Sequence, residues 1–274
     1  MGDKLSCGLK SKRLLRRWQN RKRRLVESLP PLLERCQAND NAEVVHELRV
    51  AVRRLRLYVR LGRPLLPKKS VRQFLTWARS VLKATSPLRD VNVAMEWLQG
   101  RDNADEASER LLAQRAKLWQ AISRSLQAPG RGLLKALTRL RRSDKPHARL
   151  ARRYRKIAAR ISKSVYRSAP GFFEMSLEEQ HQLRRLVRWW RYLLEVGLPR
   201  RAQKKDRLLL LLLELQEAMG DRQDLMLCEA ALKRYPRLAF AKELQRVLAA
   251  EQAAASGRIR ADMRALQRFH RAKA

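Results

Sequence analysis

The sequence contains an internal repeat, which becomes visible when the chain is compared with itself at an offset of 135 residues. Within positions 46–64, eight residues are identical to their counterparts, where this Leu- and Arg-rich composition would give about one or two by chance. The identities pair His46 with His181, Leu48 with Leu183, Arg49 with Arg184, Val52 with Val187, Arg53 with Arg188, Arg56 with Arg191, Gly62 with Gly197 and Pro64 with Pro199. At an offset of 134, Ala84, Asp90 and Leu98 match Ala218, Asp224 and Leu232. We therefore predict one domain over residues 5–270, made of a first repeat over about 5–143 and a second over about 145–270.

Both halves have the composition of helical proteins. Val, Ile and Thr number 14, 4 and 3, while Leu, Ala, Arg, Glu, Gln and Lys dominate the chain of 274 residues. A sheet would lack the residues that sheets prefer. Apolar residues recur at helical spacing between breaks at proline and glycine, which predicts an all-α fold of about ten or eleven helices in two helical bundles. The predicted breaks include Pro30-Pro31, Gly100 to Asn103, Gly220, Pro236 and Gly257.

The charge of the chain is strongly positive. Lys and Arg number 63 against 26 Asp and Glu, so the formal net charge is +37. Self-repulsion of this size opposes a compact state, and a densely charged polyanionic partner would remove it. Arg accounts for 46 of the 63 cations. Because its guanidinium matches phosphate oxygens two at a time, the composition indicates a phosphate-rich ligand.

Several classes of protein are excluded by what the sequence lacks. The three cysteines, Cys7, Cys36 and Cys228, are odd in number and far apart, and no His or Cys stands at zinc-ligand spacing. Disulfide scaffolds and zinc modules are therefore excluded, and a reducing compartment is expected. The longest apolar run, 208–213, is too short to span a bilayer, and the N-terminus has no signal-peptide core. We expect a cytoplasmic protein with no membrane partner.

A stripe of basic residues lies beside the apolar face of the first repeated helix. On a helical wheel its members share a sector of about 80°, next to the core side formed by Val45, Leu48, Val52, Leu55 and Val59. The row is about 21 Å long. We predict that it forms one wall of a phosphate-binding groove; its members are His46, Arg49, Arg53, Arg56 and Arg60.

The second repeat places the same residue types at the same angles. Its predicted binding residues are His181, Arg184, Arg188 and Arg191, and Glu195 takes the place of Arg60, where it is expected to anchor an arginine across the cleft. The alternative is an ordinary solvated surface, but like charges three, four and seven residues apart repel each other, and no acid shares the first stripe. Neither stripe holds an aromatic residue on its binding angles.

Further cations are assigned to the opposite wall. Arg72, Arg79 and Lys83 form a row on the next helix, and Lys204, Lys205 and Arg207 begin its counterpart, where helix-start amides would add phosphate contacts. The segment 131–167 holds 14 Lys or Arg and one acid, Asp144. It either extends this surface or contacts a second polyanion such as nucleic acid.

Motifs for catalysis are missing. The chain has no D-x-D or E-x-E pair to hold a metal, and no Walker loop or G-x-G-x-x-G. We therefore expect no enzymatic activity, no metal site and no cofactor.

The spacing of these residues resembles the CHAD family, the conserved histidine α-helical domain, over about residues 5–270. The first half-motif is His46-x-x-Arg49-x-x-x-Arg53-Arg54-x-Arg56, followed by Leu88-Arg89-Asp90-Val91-Asn92-Val93. The second is His181-x-x-Arg184-x-x-x-Arg188-x-x-Arg191-Tyr192-x-x-Glu195, followed by Met219-Gly220-Asp221-Arg222-Gln223-Asp224. The chain departs from the family pattern at Ser86-Pro87 and at Trp189-Trp190.

The resemblance implies two pseudo-symmetric antiparallel four-helix bundles with a basic cleft between them. It also implies binding of inorganic polyphosphate, and it adds Arg89 to the candidate ligands. The triphosphate tunnel domain of many relatives is absent, so triphosphatase activity is not implied. We expect a polyphosphate-binding protein of polyphosphate granules. The alternative is a non-specific, nucleoid-associated nucleic-acid binder, since any protein this basic attracts DNA or RNA at least weakly.

Overall fold

The computed structural model describes residues 11–38, 41–99, 101, 105–233 and 241–272. No strand occurs among these residues, so the predicted all-α class is confirmed. The described residues form the helices α1 (Ser11–Ala38), α2 (Ala42–Leu61), α3 (Lys68–Ala84), α4 (Ser86–Leu98), α5 (Asp105–Ser125), α6 (Arg131–Thr138), α7 (Pro146–Ser168), α8 (Leu177–Gly197), α9 (Arg200–Gln203), α10 (Arg207–Leu232) and α11 (Ala241–Arg271). Two 3-10 helices, Arg63–Leu65 and Phe172–Glu174, follow α2 and α7.

Three predicted breaks are wrong, because the helices run through them. Helix α1 continues across Pro30-Pro31, where the buried neighbours Leu29 and Leu33 hold both sides of the interruption against the core. Gly220 and Gly257 lie inside α10 and α11. One glycine costs a helix only about 1 kcal/mol, which packing along a long helix outweighs. The predicted breaks at Gly100, at 102–103 and at Pro236 lie outside the described residues.

The core has two parts. The larger part joins α1, α2, α3, α7 and α8 with the start of α10, and its largest fully buried side chains include Trp18 and Trp190. A smaller cluster joins α4, α5, α10 and α11 around Leu98, Leu225 and Leu248. None of the helices in the described ranges is long and apolar enough to cross a membrane.

Matching contacts occur at the ends of α2 and α8. The Trp18 indole N–H of α1 donates to the Tyr58 carbonyl of α2 at 3.0 Å, and the Tyr154 hydroxyl of α7 donates to the Leu193 carbonyl of α8 at 3.1 Å. Tyr58 and Leu193 are 135 residues apart, which is the offset of the repeat. Each helix that precedes a His/Arg helix therefore carries an aromatic side chain that donates a hydrogen bond to a backbone carbonyl near the end of that helix.

The same two aromatic side chains explain why glycine occurs at position 62 and again at position 197. A Cβ atom added at Gly62 would overlap the Trp18 ring, and one added at Gly197 would overlap the Tyr154 hydroxyl. Glycine is needed at both positions because the rings approach the backbone this closely.

Arginine side chains from each half contact backbone carbonyls of the other half at the ends of α2 and α8. Arg17 of α1 donates to the carbonyls of Val196 and Gly197 at 3.1 and 2.6 Å, at the end of α8. Arg153 of α7 donates to the Arg60 carbonyl at 3.0 Å, at the end of α2. The first contact fixes α8 relative to α1, and the second fixes α2 relative to α7. The division into two four-helix bundles and the repeat boundaries stay predictions, and residues 5–10 lie outside the described residues.

Candidate polyanion-binding groove

Local capping places the first residues of both stripes. The Asn41 side chain accepts from the Glu43 amide at 2.8 Å and starts α2. Ser176 and Glu179 form a capping box that starts α8, with the Glu179 amide donating to the Ser176 hydroxyl at 3.3 Å. These caps satisfy the free amides of the first turn and so fix where each helix begins. His46 and His181 lie one turn further on, and both are only partly exposed to solvent.

The arginines of the two stripes lie in each other's electrostatic field. Burial, and then repulsion from Arg53 of α2, lowers the pKa of Arg188 of α8 to about 9. Burial also lowers the pKa of Arg53, with Arg184 and Arg89 among the cations that add to it. Because these interactions connect α2 with α8, the structure brings the two stripes together. We call Arg53, Arg56, Arg184 and Arg188 the groove cluster.

The cluster extends to the end of α2. Burial, and then repulsion from Arg60, Arg185 and Arg79, lowers the pKa of Arg56 to about 10. The Arg60 pKa is lowered by burial, then by Arg185 and Arg63, and then by Arg79. Arg79 of α3 therefore lies within electrostatic range of the α2 stripe, and its place on an opposite wall stays a prediction.

Hydrogen-bonding capacity is left over in this cluster. Among the described residues, the buried Nε atoms of Arg56, Arg184 and Arg188 have no hydrogen-bond partner. A buried N–H group without a partner costs about 1–3 kcal/mol, and more when it is charged. The cluster thus combines repelling charges with unsatisfied donors, and an anion would relieve the repulsion between its guanidinium groups.

Gly220 makes room for one member of the cluster. A Cβ atom added to this α10 residue would lie 3.2 Å from Nη2 of Arg184. The glycine therefore lets the Arg184 guanidinium pack directly against the α10 backbone.

Two predicted ligands have partners inside the protein. Arg49 is 6% exposed and donates through Nη1 to the Leu82 carbonyl at 3.0 Å and to the Thr85 hydroxyl at 2.7 Å, so it holds the end of α3. Arg191, also 6% exposed, donates through Nε to the Gln216 side chain at 2.8 Å and pairs with Glu195.

Glu195 also contacts an arginine of the facing helix. Its carboxylate lies 3.6 Å from Nη2 of Arg54 in α2. The acid was expected to anchor an arginine across the cleft, and Arg54 is that arginine. Arg54 itself was not among the predicted binding residues.

Arg89 of α4 links the cluster to two carboxylates. Its guanidinium lies 3.4 Å from Asp224 and 3.8 Å from Glu96. Burial raises the pKa of Asp224 despite Arg89 and Arg184. Burial likewise raises the pKa of Asp90, against the opposing effect of Arg49. Asp224 therefore orients the Arg89 guanidinium.

The remaining predicted ligands are exposed at the surface. Arg72 is exposed on α3, and Lys83 is exposed at the end of the same helix. Lys204 and Lys205 are exposed after α9, and Arg207 opens α10. In the described ranges no ion pair or hydrogen bond joins any of these five residues to the cluster. The Asp206 carboxylate accepts from the Leu209 amide at 2.8 Å, so it uses one amide of the helix start that was expected to bind phosphate.

Two groove residues were missed by the sequence reasoning. Arg185 lies outside the predicted sector of α8, yet its field reaches both Arg56 and Arg60. The half-buried Trp189 ring lies 4.9 Å from the Arg60 guanidinium and 5.8 Å from that of Arg185. An aromatic ring therefore borders the groove, although neither stripe carries one on its binding angles. Within-helix angles do not reveal this contact, because Arg60 comes from the other helix.

The two histidines have lowered pKa values. Burial, followed by Arg89, lowers the His46 pKa below its usual 6.5, and burial, followed by Arg184 and Arg185, does the same to His181. Both rings are therefore uncharged at neutral pH in the free protein. Arg49, Arg53 and Arg188 act in the same direction, and Glu43 and Glu178 act against it.

No group of three or more His, Cys, Asp or Glu side chains that could hold a metal ion occurs among the described residues. Cys36 and Cys228 are free and buried. Cys7 lies outside the described residues.

Comparison with known proteins gives a family match and two similar structures. The family model of the CHAD domain matches residues 12–233. The crystal structure of the CHAD domain from the plant Ricinus communis is 21% identical, covers 92% of each chain and superposes with a TM-score of 0.65. PptA from Streptomyces chartreusis is 19% identical, covers 95% of this chain and 99% of its own, and superposes with a TM-score of 0.51. None of the curated proteins matches the chain in sequence.

Proposed function

Because the chain belongs to the CHAD family, we propose that it binds inorganic polyphosphate in the groove between α2 and α8. The proposal includes binding without hydrolysis and association with polyphosphate granules. The observation that carries it is that α2 and α8 are in contact, with Arg54 of α2 3.6 Å from Glu195 of α8, and that Arg53, Arg184 and Arg188 lie in one another's electrostatic field. Like charges held together in partial burial need an anion to neutralise them.

The arrangement supports phosphate over other anions. The cations are guanidinium groups, and each presents a planar fork of N–H donors that fits phosphate oxygens. They follow one another along α2 and α8, so a ligand with a phosphate at every step can contact several of them at once. Polyphosphate has this repeating charge and the flexibility to follow the row.

Duplex nucleic acid fits this groove less well. A duplex is too wide to enter between two neighbouring helices, and its strands turn fully within about 34–36 Å. Only a few of its phosphates can meet the cluster at one time. It would therefore bind mainly to exposed cations elsewhere on the surface.

Single-stranded nucleic acid is the second candidate ligand, and the observation that favours it is Trp189. Bases stack on aromatic rings, and arginines beside such a ring add to the attraction. Trp189 lies against Arg60 and Arg185 at the edge of the groove. A single strand could place a base there while its phosphates follow the arginines.

A competition experiment tests the proposed ligand. Fluorescently labelled long-chain polyphosphate is bound to the protein at physiological salt, and unlabelled polyphosphate, duplex DNA and single-stranded DNA are compared at equal phosphate concentration. We expect polyphosphate to displace the label at a far lower concentration than either DNA. Equal or better displacement by DNA would overturn the proposal, and loss of single-strand binding in Trp189→Leu would identify the nucleic-acid site. The same protein incubated with polyphosphate and Mg²⁺ is expected to release no orthophosphate.

A further inference from the structure

A pocket of about 770 Å³ opens at the corner where α2 passes into α3. Pro64, Val71 and Leu75 contribute its apolar lining. No carboxylate lies among its described lining residues. Five cations surround it: Arg63, Lys68, Lys69, Arg72 and Arg79.

The pocket adjoins the end of the groove. Arg60 belongs to the α2 stripe, and both Arg63 and Arg79 act on its pKa. Arg79 also acts on Arg56 of the groove cluster. Since Arg63 and Arg79 line the pocket, the positive field of the groove continues into it.

Four of the pocket cations are available to a ligand. Arg63, Lys68, Lys69 and Arg72 are all exposed. In the described part of the chain none of the four forms an ion pair with an Asp or Glu. An anion that enters the pocket would therefore not have to displace a carboxylate.

The corresponding corner after α8 differs. At the offset of the repeat, Arg60 corresponds to Glu195 and Arg63 to Leu198. Glu195 is already paired with Arg191 and Arg54. An acid therefore takes the place of Arg60 at the α8 end, although Lys69 and Arg72 have cationic counterparts there in Lys204 and Arg207.

We propose that this pocket is a second phosphate-binding subsite, which takes the part of a polyphosphate chain that leaves the groove beyond Arg60. The inference rests on the proposed function, because it assumes that polyphosphate occupies the groove. A second subsite makes the protein selective for the length of the polyphosphate chain. A short phosphate chain fills the groove cluster alone, whereas a long chain reaches both sites and gains affinity from the second.

The test compares two phosphates and two variants of the full chain. The pocket variant carries Arg63→Ala, Lys68→Ala, Lys69→Ala and Arg72→Ala, and it leaves Arg79 in place because that residue also acts on Arg56 of the groove cluster. The α7 control carries Lys156→Ala, Arg160→Ala, Lys163→Ala and Arg167→Ala, four exposed residues of the basic segment 131–167 that no ion pair or hydrogen bond in the described part of the chain joins to the groove cluster or the pocket. Each variant lowers the formal charge from +37 to +33. Affinities for tripolyphosphate and for long-chain polyphosphate are measured by titration calorimetry.

We expect the pocket variant to lose about tenfold or more in affinity for long-chain polyphosphate and to change by less than about twofold for tripolyphosphate. The α7 control is expected to change little for either ligand. Equal losses in the two variants would overturn the proposal, because net charge would then explain them. Equal losses for the two ligands in the pocket variant would overturn it as well, because the pocket would then not be a separate subsite.

The wild-type protein separates this proposal from the proposed function. Failure to bind either phosphate would overturn the proposed function and the pocket with it. Binding of both phosphates with the same affinity would leave the groove in place and overturn the pocket alone.

Discussion

At the scale of single residues, Arg188 illustrates how the groove is poised for an anion. Its guanidinium is held near Arg53 in partial burial, and its pKa is lowered to about 9. Its buried Nε has no partner among the described residues. The free protein therefore bears an unfavourable free energy at this residue, and part of it is relieved when a phosphate binds. Sites that bind charged ligands commonly hold such locally unfavourable arrangements.

Gly220 gives the first prediction. Gly220→Ala places a Cβ 3.2 Å from Nη2 of Arg184, so the guanidinium must move by a few tenths of an ångström or more. Alanine also favours the helix by about 1 kcal/mol relative to glycine. We expect the variant to bind polyphosphate several-fold more weakly while its Tm stays the same or rises. Affinity is read by titration calorimetry and Tm by circular dichroism.

The matched control is Gly257→Ala in α11, where nothing lies within 4 Å of the added Cβ. It is expected to raise Tm and leave polyphosphate affinity unchanged. If Gly220→Ala behaves in the same way, the position of Arg184 against α10 does not matter for binding.

The histidines give a prediction about pH. Their pKa values lie below 6.5 in the free protein, so protonation is unfavourable there and destabilises the fold as the pH falls. A bound phosphate favours the charged rings and raises both pKa values again. We therefore expect the affinity for long-chain polyphosphate to rise as the pH falls from about 7.5 to about 5.5. Long chains are used because their internal phosphates stay ionised over this range.

The double variant His46→Gln, His181→Gln tests whether these rings are responsible. Its affinity is expected to stay nearly constant over the same pH range. A rise equal to that of the wild-type protein would show that other groups cause the pH dependence.

At the scale of helices, the contact between α7 and α8 depends on a glycine and a tyrosine. The Cβ atom that Gly197→Ala adds would overlap the Tyr154 hydroxyl oxygen. The ring carbon that bears this hydroxyl, Cζ, would lie 3.0 Å from the same Cβ. We expect Gly197→Ala to lower the free energy of unfolding by about 1–3 kcal/mol. In a Tyr154→Phe background the loss is expected to be smaller, because the hydroxyl that causes the overlap is gone.

Urea unfolding of the wild type, both single variants and the double variant measures this coupling. We expect the double variant to be more stable, by at least about 0.5 kcal/mol, than the sum of the two single effects would make it, because the two residues are in contact. Additive effects of the two substitutions would mean that the glycine is not required by the tyrosine.

The same helices show how far the sequence predicts the site. Helical angles alone put Arg53 and Arg56 on one face of α2 and Arg184 and Arg188 on one face of α8, because that arrangement depends on one helix at a time; that these residues bind a ligand stays a prediction. The roles of Arg49 and Arg191 depend on where α3 and α10 pack. Their partners, Thr85 and Gln216, lie 36 and 25 residues away, so no local pattern indicates them.

Other features follow from tertiary contacts alone. Arg185 and Trp189 enter the groove because Arg60 of α2 lies beside them. The helix start at Arg207 was expected to bind phosphate, but the preceding Asp206 caps it. That cap was readable from the sequence, since Asp before a helix is a common N-cap.

At the scale of the whole molecule, the positive charge is spread far beyond the groove. Helix α7 contains eight Lys or Arg and no Asp or Glu, and most of these cations are exposed. A protein with a net charge of +37 attracts any polyanion, so binding alone does not identify a site. If the groove is the binding site, its few arginines must contribute far more to the affinity for polyphosphate than the same number of cations elsewhere on the surface.

The most direct test of this requirement compares the groove cluster with the α7 control. The groove variant carries Arg53→Ala, Arg56→Ala, Arg184→Ala and Arg188→Ala, and both variants have a formal charge of +33. Arg49 is left in place because it holds the end of α3. Folding of both variants is checked by circular dichroism, and the affinity for long-chain polyphosphate is measured at physiological salt.

Each charge-assisted hydrogen bond contributes about 1.5–3 kcal/mol, and neighbouring contacts are not additive. We therefore expect the groove variant to lose at least about a hundredfold in affinity, while the α7 control loses only a few-fold. Equal affinities in two folded variants would contradict the account, because polyphosphate would then be held by net charge and the groove between α2 and α8 would not be its binding site.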